Sequence, residues 1–344
     1  MKALMKTKSG FGNLELLDIP EPVCDETGIK IKVHYTGICG TDLHIYHDSY
    51  QNSPPVVIGH EFSGEVVESG KNVKRIYPGD HVMVLPSVAW TCKRCMFCKQ
   101  GYYMFCSERR SIGSGVNGSF TKYVVVNEDM VYKVPPSLSM QEAALAEPLA
   151  CAVQAIEELT DFNAGDWVLL SGPGPIGLLC LSLLVAKGCN VIVTGTSQDE
   201  KRLALAKELG AHATVDVFTE DLKEIIDNHT FGYGVDIAVE CSGAPSAINT
   251  CLKSLKKMGK YIQVGIIGSE VEMNIDMLLY KQISLFGSYA HSMSTWDKVQ
   301  KILNGGTVNL KPIITDVLPL SDWQQAFDLF QSKDSGKILM YYDF

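Results

Sequence analysis

Positive charge is scarce in this 344-residue chain: 30 lysines and arginines face 39 aspartates and glutamates, for a formal net charge of −9. A surface of that sign repels a phosphate backbone, which excludes nucleic acid as a partner. The N-terminus MKALMKTKSG has lysines but no apolar run behind them, so no secretory leader is expected. A membrane span is not expected either. The twenty uncharged residues WVLLSGPGPIGLLCLSLLVA, 167–186, hold Gly172-Pro173-Gly174-Pro175 at their centre, and such a centre would leave backbone groups unpaired in lipid. Internal repeats and low-complexity segments are also absent. What remains is the composition of an ordinary globular protein, 46% hydrophobic and 20% charged. The length favours two domains, and the expected compartment is the cytoplasm.

Cysteine, by contrast, is plentiful: eleven in all, an odd number. Cys24, Cys39, Cys151, Cys180, Cys189, Cys241 and Cys251 are scattered, whereas Cys92, Cys95, Cys98 and Cys106 crowd into TCKRCMFCKQGYYMFC. Without a leader, a metal site plus ordinary buried thiols fits this count better than a disulfide framework. Intervals of two, two and seven residues suit a closed tetrahedral zinc site. A bacterial ferredoxin cluster would have three residues before its fourth cysteine and a proline after it; here the interval is seven and Ser107 follows. Structural zinc is favoured, with an iron–sulfur cluster and paired disulfides as the alternatives.

The texture of the chain changes near residue 150. Before it come short extended runs, IKIKVHY, SGEVVESG, HVMVLP and TKYVVV, broken by glycine, proline and cysteine, which predict a β-rich unit. From about 153 to 287 apolar strands at 167–171, 191–194, 236–240, 260–264 and 283–287 alternate with helical segments such as DEKRLALAKELGA and PSAINTCLKSLKKMG. That alternation predicts a parallel sheet covered on both faces. Two amphipathic helices, TWDKVQKILNGG and SDWQQAFDLFQSK, and a strand, KILMYY, follow; periodicity does not say which unit they join.

A second metal site has candidates in Cys39 of GICGTDLH, His60 and Glu61 of IGHEFSG, and Glu147 of LAEPLACA. A catalytic zinc takes three protein ligands and keeps an exchangeable position. Asp42 could accept the second ring proton of a ligating histidine, and Thr41 offers a hydroxyl for proton transfer. Adjacent residues of a regular strand face opposite ways, so His60 and Glu61 share a metal only if Gly59 marks a bend. Glu147 could instead be an acid favoured at a helix start.

Strand DWVLLS leads into Gly172-Pro173-Gly174-Pro175-Ile176-Gly177 and then an apolar helix. A G-x-G-x-x-G turn in that strand–helix setting predicts a dinucleotide site, its glycines letting backbone approach a pyrophosphate at a helix N-terminus. The end of the second strand, VIVTGTSQDEKR, lacks the acid that commonly binds the ribose hydroxyls of NAD. Gly195 stands there, followed by Thr196, Ser197, Lys201 and Arg202. Missing negative charge, two hydroxyls and two cations suit a 2′-phosphate, so NADP is favoured over NAD. The alternative is that both cations are solvated helix residues. Gly265, beyond the strand at 260–264, is counted with the cofactor contacts.

Together GICGTDLH, GHEFSGEVVESG, C-x2-C-x2-C-x7-C, EPLACA, GPGPIG, VECSGA and PLSDWQQAF resemble the zinc-containing medium-chain dehydrogenase/reductase family, in its polyol (sorbitol-type) and threonine dehydrogenase branch, along essentially the whole chain. The resemblance implies an α/β fold. A GroES-like β-rich catalytic domain would cover 1–152, with its structural-zinc lobe at about 90–108, and be completed by 288–344; a Rossmann doubly wound parallel-sheet domain would cover 153–287. It makes Cys39, His60 and Glu61 the catalytic-zinc ligands and Glu147 a water-linked or exchanging fourth. Thr41 would begin a proton relay that ends at His44. Gly195 departs from the aspartate of NAD-using members, and Ile45 from the tyrosine of sorbitol dehydrogenases. The implied activity is reversible oxidation of a secondary alcohol on a polyol or related small hydroxy compound, with one catalytic and one structural zinc in a homotetramer or dimer. A threonine- or butanediol-type substrate is the alternative; a non-catalytic nucleotide sensor is a remote one.

Overall fold

A computed structural model describes residues 1–344. Its first large sheet is built around Gly28–Gly37, in which Ile29, Ile31 and Val33 alternate into the core. Glu61–Ser69 and Tyr123–Asn127 pair antiparallel with it, and His81–Val84 and Val131–Lys133 extend the sheet beyond Glu61–Ser69. On the other side lies Lys337–Tyr341, with Leu339 opposite Gly37, followed by the parallel strand Ile314–Pro319. The C-terminal strand therefore returns to the N-terminal half. Lys2–Lys6, Leu14–Asp18 and Val56–Val57 form a smaller sheet.

The second large sheet is wholly parallel. In chain order its strands are Trp167–Ser171, Asn190–Gly195, Ala213–Asp216, Val235–Glu240, Leu255–Gln263 and Ser284–Gly287. In space the third, second and first are followed by the fourth, fifth and sixth, the doubly wound order whose reversal point lies beside the first strand. Two details differ from the sequence reading. Ala213–Asp216 was not expected, because only Val215 of its four residues is buried and so short an edge strand carries no alternation. The helix expected to run through 259 stops at Ser254, and Leu255 begins a strand against Val235. Here tertiary pairing between two buried residues outweighs helical periodicity; Met258 takes up the irregularity at φ +61°.

The halves share one core. Its largest apolar cluster joins Met83 and Leu85 to Leu149, Ile156, Leu178, Leu184, Trp296 and Leu339. No helix is long and apolar enough to cross a membrane.

Candidate active site

Gly59 brings the first donors together. Its φ is +89° and a side chain there would meet the Phe120 ring at 2.2 Å, so the chain turns where only glycine fits. Beyond that turn, His60 and Glu61 direct their ligand atoms to one point with Cys39, all within 4.8 Å of one another. Bonds of about 2.0–2.3 Å in tetrahedral geometry place ligand atoms roughly 3.5 Å apart, so thiol, imidazole and carboxylate fit zinc in type and spacing.

Asp42 ties the two segments. Fully buried, it accepts from the Cys39 amide at 2.9 Å and the Gly59 amide at 3.3 Å. It faces His60 Nδ1 at 3.7 Å, an ion-pair distance rather than the hydrogen bond expected from sequence. Its hydrogen bonds go to the backbone that carries the ligands. Burial opposes a charge on His60, but Asp42 and Cys39 outweigh it and lift the ring well above its ordinary pKa. A buried donor set that raises its own imidazole in this way attracts a cation.

Two residues that sequence reasoning missed complete the surroundings. Lys337, fully buried, forms an ion pair with Glu61 and donates to the Ile38 carbonyl at 2.7 Å. Burial opposes its charge, yet Glu61 and Cys39 hold its pKa above the usual lysine range. Its one sequence signal is a lysine opening the apolar strand KILMY. His291 meets Glu147 at 3.1 Å through Nε2. The Trp296 indole, a donor only, reaches His291 Nδ1 at 3.0 Å. Nδ1 is thus the acceptor and Nε2 carries the proton, donating to Glu147. A metal shared by Glu147, Cys151 and His291, whose ligand atoms also cluster, would need that nitrogen's lone pair. The structure assigns His291 to orienting Glu147. Burial opposes the Glu147 charge, but His291, His60 and Lys337 keep its pKa below the usual range.

Cys39, His60, Glu61, Glu147 and Lys337 line one wall of a cleft of about 580 Å³; Gly174, Pro175, Ile176 and Gly265 line the other. Gly172 turns at φ +95° against Ser242, and a side chain on Gly177 would meet the Gly172 carbonyl at 2.0 Å. At Gly174 nothing lies within 4 Å, so space opens at the N-terminus of helix Pro175–Ala186. Glu240, fully buried, accepts from the Ser242 and Gly243 amides and the Gln263 side chain behind this wall; it lies in the VECSGA motif, but sequence reasoning gave it no role.

Thr41 and His44, one turn apart on helix Gly40–Tyr46, both face the cleft. They are not hydrogen-bonded to each other; His44 Nδ1 lies 3.1 Å from Ser49 Oγ. Beyond Gly195 the arrangement is more engaged than expected. Thr196 donates to Asp199 and Ser197 to Asp216. Lys201 pairs with Asp334 at 3.2 Å, and Arg202 is buried against Asp199 and the Ser335 carbonyl. Arg202 lines the main cleft, Ser197 and Lys201 line a smaller cavity of about 370 Å³, and Gly195 and Thr196 line neither.

At the remaining cysteine group, Cys92, Cys95, Cys98 and Cys106 also bring their sulfurs within 4.8 Å of one another. No disulfide forms: Cys92 and Cys98 sulfurs are 3.9 Å apart. Amides of Cys95 and Cys98 donate to the Cys92 and Cys95 sulfurs, and the Arg94 and Cys95 amides bring Cys92 down to about 6, favouring the thiolate that metals bind.

Comparison with known proteins gives this geometry its context. Residues 25–136 match the alcohol dehydrogenase GroES-like domain and residues 175–304 the zinc-binding dehydrogenase family. The chain is 39% identical to a sorbitol dehydrogenase of Halalkalibacterium halodurans, over 99% of each protein. It is 37% identical to a D-arabitol-phosphate dehydrogenase of Enterococcus avium, over 99% of this chain and 97% of that protein. A zinc-binding dehydrogenase from Sinorhizobium meliloti 1021, bound to NADP, superimposes with a TM-score of 0.87 at 29% identity, over 99% of this chain and 98% of that one.

Proposed function

The chain belongs to the zinc-containing medium-chain dehydrogenase/reductase family, as a zinc-dependent, nicotinamide-linked alcohol or polyol oxidoreductase, and from that premise we propose which of its residues do the work. The observation that carries the reading is the convergence of Cys39, His60 and Glu61 opposite the open turn at Gly174. Zinc held by those three residues would supply Lewis acidity to a secondary hydroxyl, and a nicotinamide bound in the cleft would serve as the hydride acceptor. Lys337 offsets the Glu61 charge, and His291 holds Glu147 as a reserve carboxylate beside the ligands. Thr41 takes the substrate proton, and His44, hydrogen-bonded to Ser49, passes it on to solvent.

Four finer points belong to the same reading. The four-cysteine lobe holds a second, structural zinc, its N–H···S bonds favouring thiolate ligands. NADP(H) is preferred to NAD(H), because no carboxylate stands at Gly195 and the charge of Asp199 beside it is offset by Arg202. The catalytic domain comprises 1–152 and 288–344, the nucleotide domain 153–287. The protein is a cytoplasmic homo-oligomer, a dimer or tetramer, supported by its free thiols and by the exposed edge strand Ser284–Gly287.

Titration with NADPH and NADH, followed by nicotinamide fluorescence, tests the cofactor assignment, and tighter NADPH binding is expected. Equal or tighter NADH binding overturns the preference. In Cys39→Ala, turnover of polyols, threonine and butanediol should all vanish while the nicotinamide Kd changes less than threefold. Retained turnover refutes the zinc role.

A further inference from the structure

Four lysine or arginine side chains line the cleft: Arg109, Arg202, Lys333 and Lys337. Lys337 is held by Glu61 and Arg202 by Asp199. Lys333 adjoins Gln331, which also lines the smaller cavity with Ser197 and Lys201, so it belongs to the nucleotide end. Arg109 is different. It is half-buried, stacks over Tyr289 at 5.5 Å from the ring centre and donates to the Tyr289 hydroxyl at 2.9 Å. No carboxylate lies within 4.0 Å of it, and its neighbour Glu108 is taken by Arg94. Arg109 lines the cleft together with Tyr50, Cys39 and His60, so its guanidinium shares one space with the metal-binding group.

We propose that Arg109 binds a phosphate monoester at the end of the substrate away from the reacting hydroxyl, so that the substrate class is polyol phosphates rather than neutral polyols. The inference rests on the alcohol dehydrogenase reading above. A guanidinium presents five donors in a rigid fork, and one spent on Tyr289 leaves the rest for phosphate oxygens. A phosphate monoester carries close to two negative charges at neutral pH and three acceptor oxygens, and the hydroxyls of Ser111 and Ser114 line the same cleft. A neutral polyol would leave the guanidinium without a counter-charge. An amino-acid substrate brings an ammonium group, yet both carboxylates of the cleft, Glu61 and Glu147, already have buried partners.

The test uses zinc-loaded protein and matched pairs: D-arabitol against its phosphate monoester, and sorbitol against its own. Wild type should favour each phosphate by about 100-fold or more in kcat/KM, expressed mainly in KM, as charge-assisted hydrogen bonds allow. In Arg109→Gln that ratio should collapse by about 30-fold or more, and in Arg109→Lys by less than tenfold, with the thermal midpoint of each variant checking its fold. A wild-type preference for the neutral polyols, or a ratio unmoved by Arg109→Gln, overturns the assignment while leaving the dehydrogenase reading intact. Faster oxidation of 3-hydroxybutyrate than of either phosphate would move the anion from phosphate to carboxylate and overturn it too. Failure to oxidise any alcohol, despite bound zinc and nicotinamide, overturns the dehydrogenase reading and this inference with it.

Discussion

The indole N–H of Trp296 fixes which nitrogen of His291 carries a proton, and His291 in turn aims Glu147 towards the metal-binding group. Trp296→Phe should therefore act at both ends of this relay. An unpaired buried acceptor costs about 1–3 kcal/mol, visible as a lower thermal midpoint, and kcat should fall while the nicotinamide Kd holds. An unchanged midpoint would mean the indole bond contributes nothing. A second residue-scale expectation concerns pH. Burial opposes the Asp80 charge, but Lys133 and the Tyr77 amide outweigh it and depress its pKa. A depressed carboxylate adds stability above its unfolded pKa of about 3.9 and loses it as pH falls through the lower folded value. The midpoint gap between wild type and Asp80→Asn should be full at pH 7 and close below about pH 4; a gap that persists at pH 2 contradicts the pairing. At this scale the sequence was only half legible. Cys39, His60 and Glu61 lie in short motifs whose neighbours betray them, whereas Lys337 and His291 act across 276 and 144 residues, and no local pattern records such partners.

Among the elements, legibility followed whether a constraint is local. The turn from Gly172 to Gly177 could be read because its spacing is a local pattern, in which a side chain on Gly177 would meet the Gly172 carbonyl five residues back. Ala213–Asp216 and the strand from Leu255 could not, since their conformation comes from partners in the sheet. The bend at Gly59 is the element on which the site depends most. Gly59→Ala would place a methyl group 2.2 Å from Phe120 on a backbone that L-residues disfavour, at a cost of at least about 1–3 kcal/mol. Zinc content and turnover should fall together in that variant; full retention of both would show that the bend is not needed. The cysteine lobe makes a separable demand. With the two zincs proposed per chain, Cys95→Ala should lower the content to one and depress the thermal midpoint, while a mutant with unchanged zinc would rule out the lobe as a metal site.

For the molecule as a whole, the parallel sheet ends in two open edges, and the one at Ser284–Gly287 has apolar residues exposed in and beside it. Leu285 in that edge, and Leu279 and Tyr280 beside it, are 46%, 69% and 75% exposed, and an open edge with apolar neighbours is a template for pairing. On the proposed homo-oligomer, Leu285→Asp should shift sedimentation towards the monomer without altering metal content, and an unchanged sedimentation coefficient would mean that this edge is not an interface. The contact between Lys337 and the Ile38 carbonyl has a consequence of another kind. Those residues are 299 positions apart, so at about 5–20 residues per second a ribosome needs roughly 15–60 s to deliver the ammonium after the carbonyl. Throughout that interval the nascent N-terminal half exposes Cys39, His60 and Glu61 with neither their buried counter-charge nor the strand that closes their sheet. The proposed metal centre is thus a late product of synthesis, and a fragment ending before residue 337 lacks its buried counter-charge.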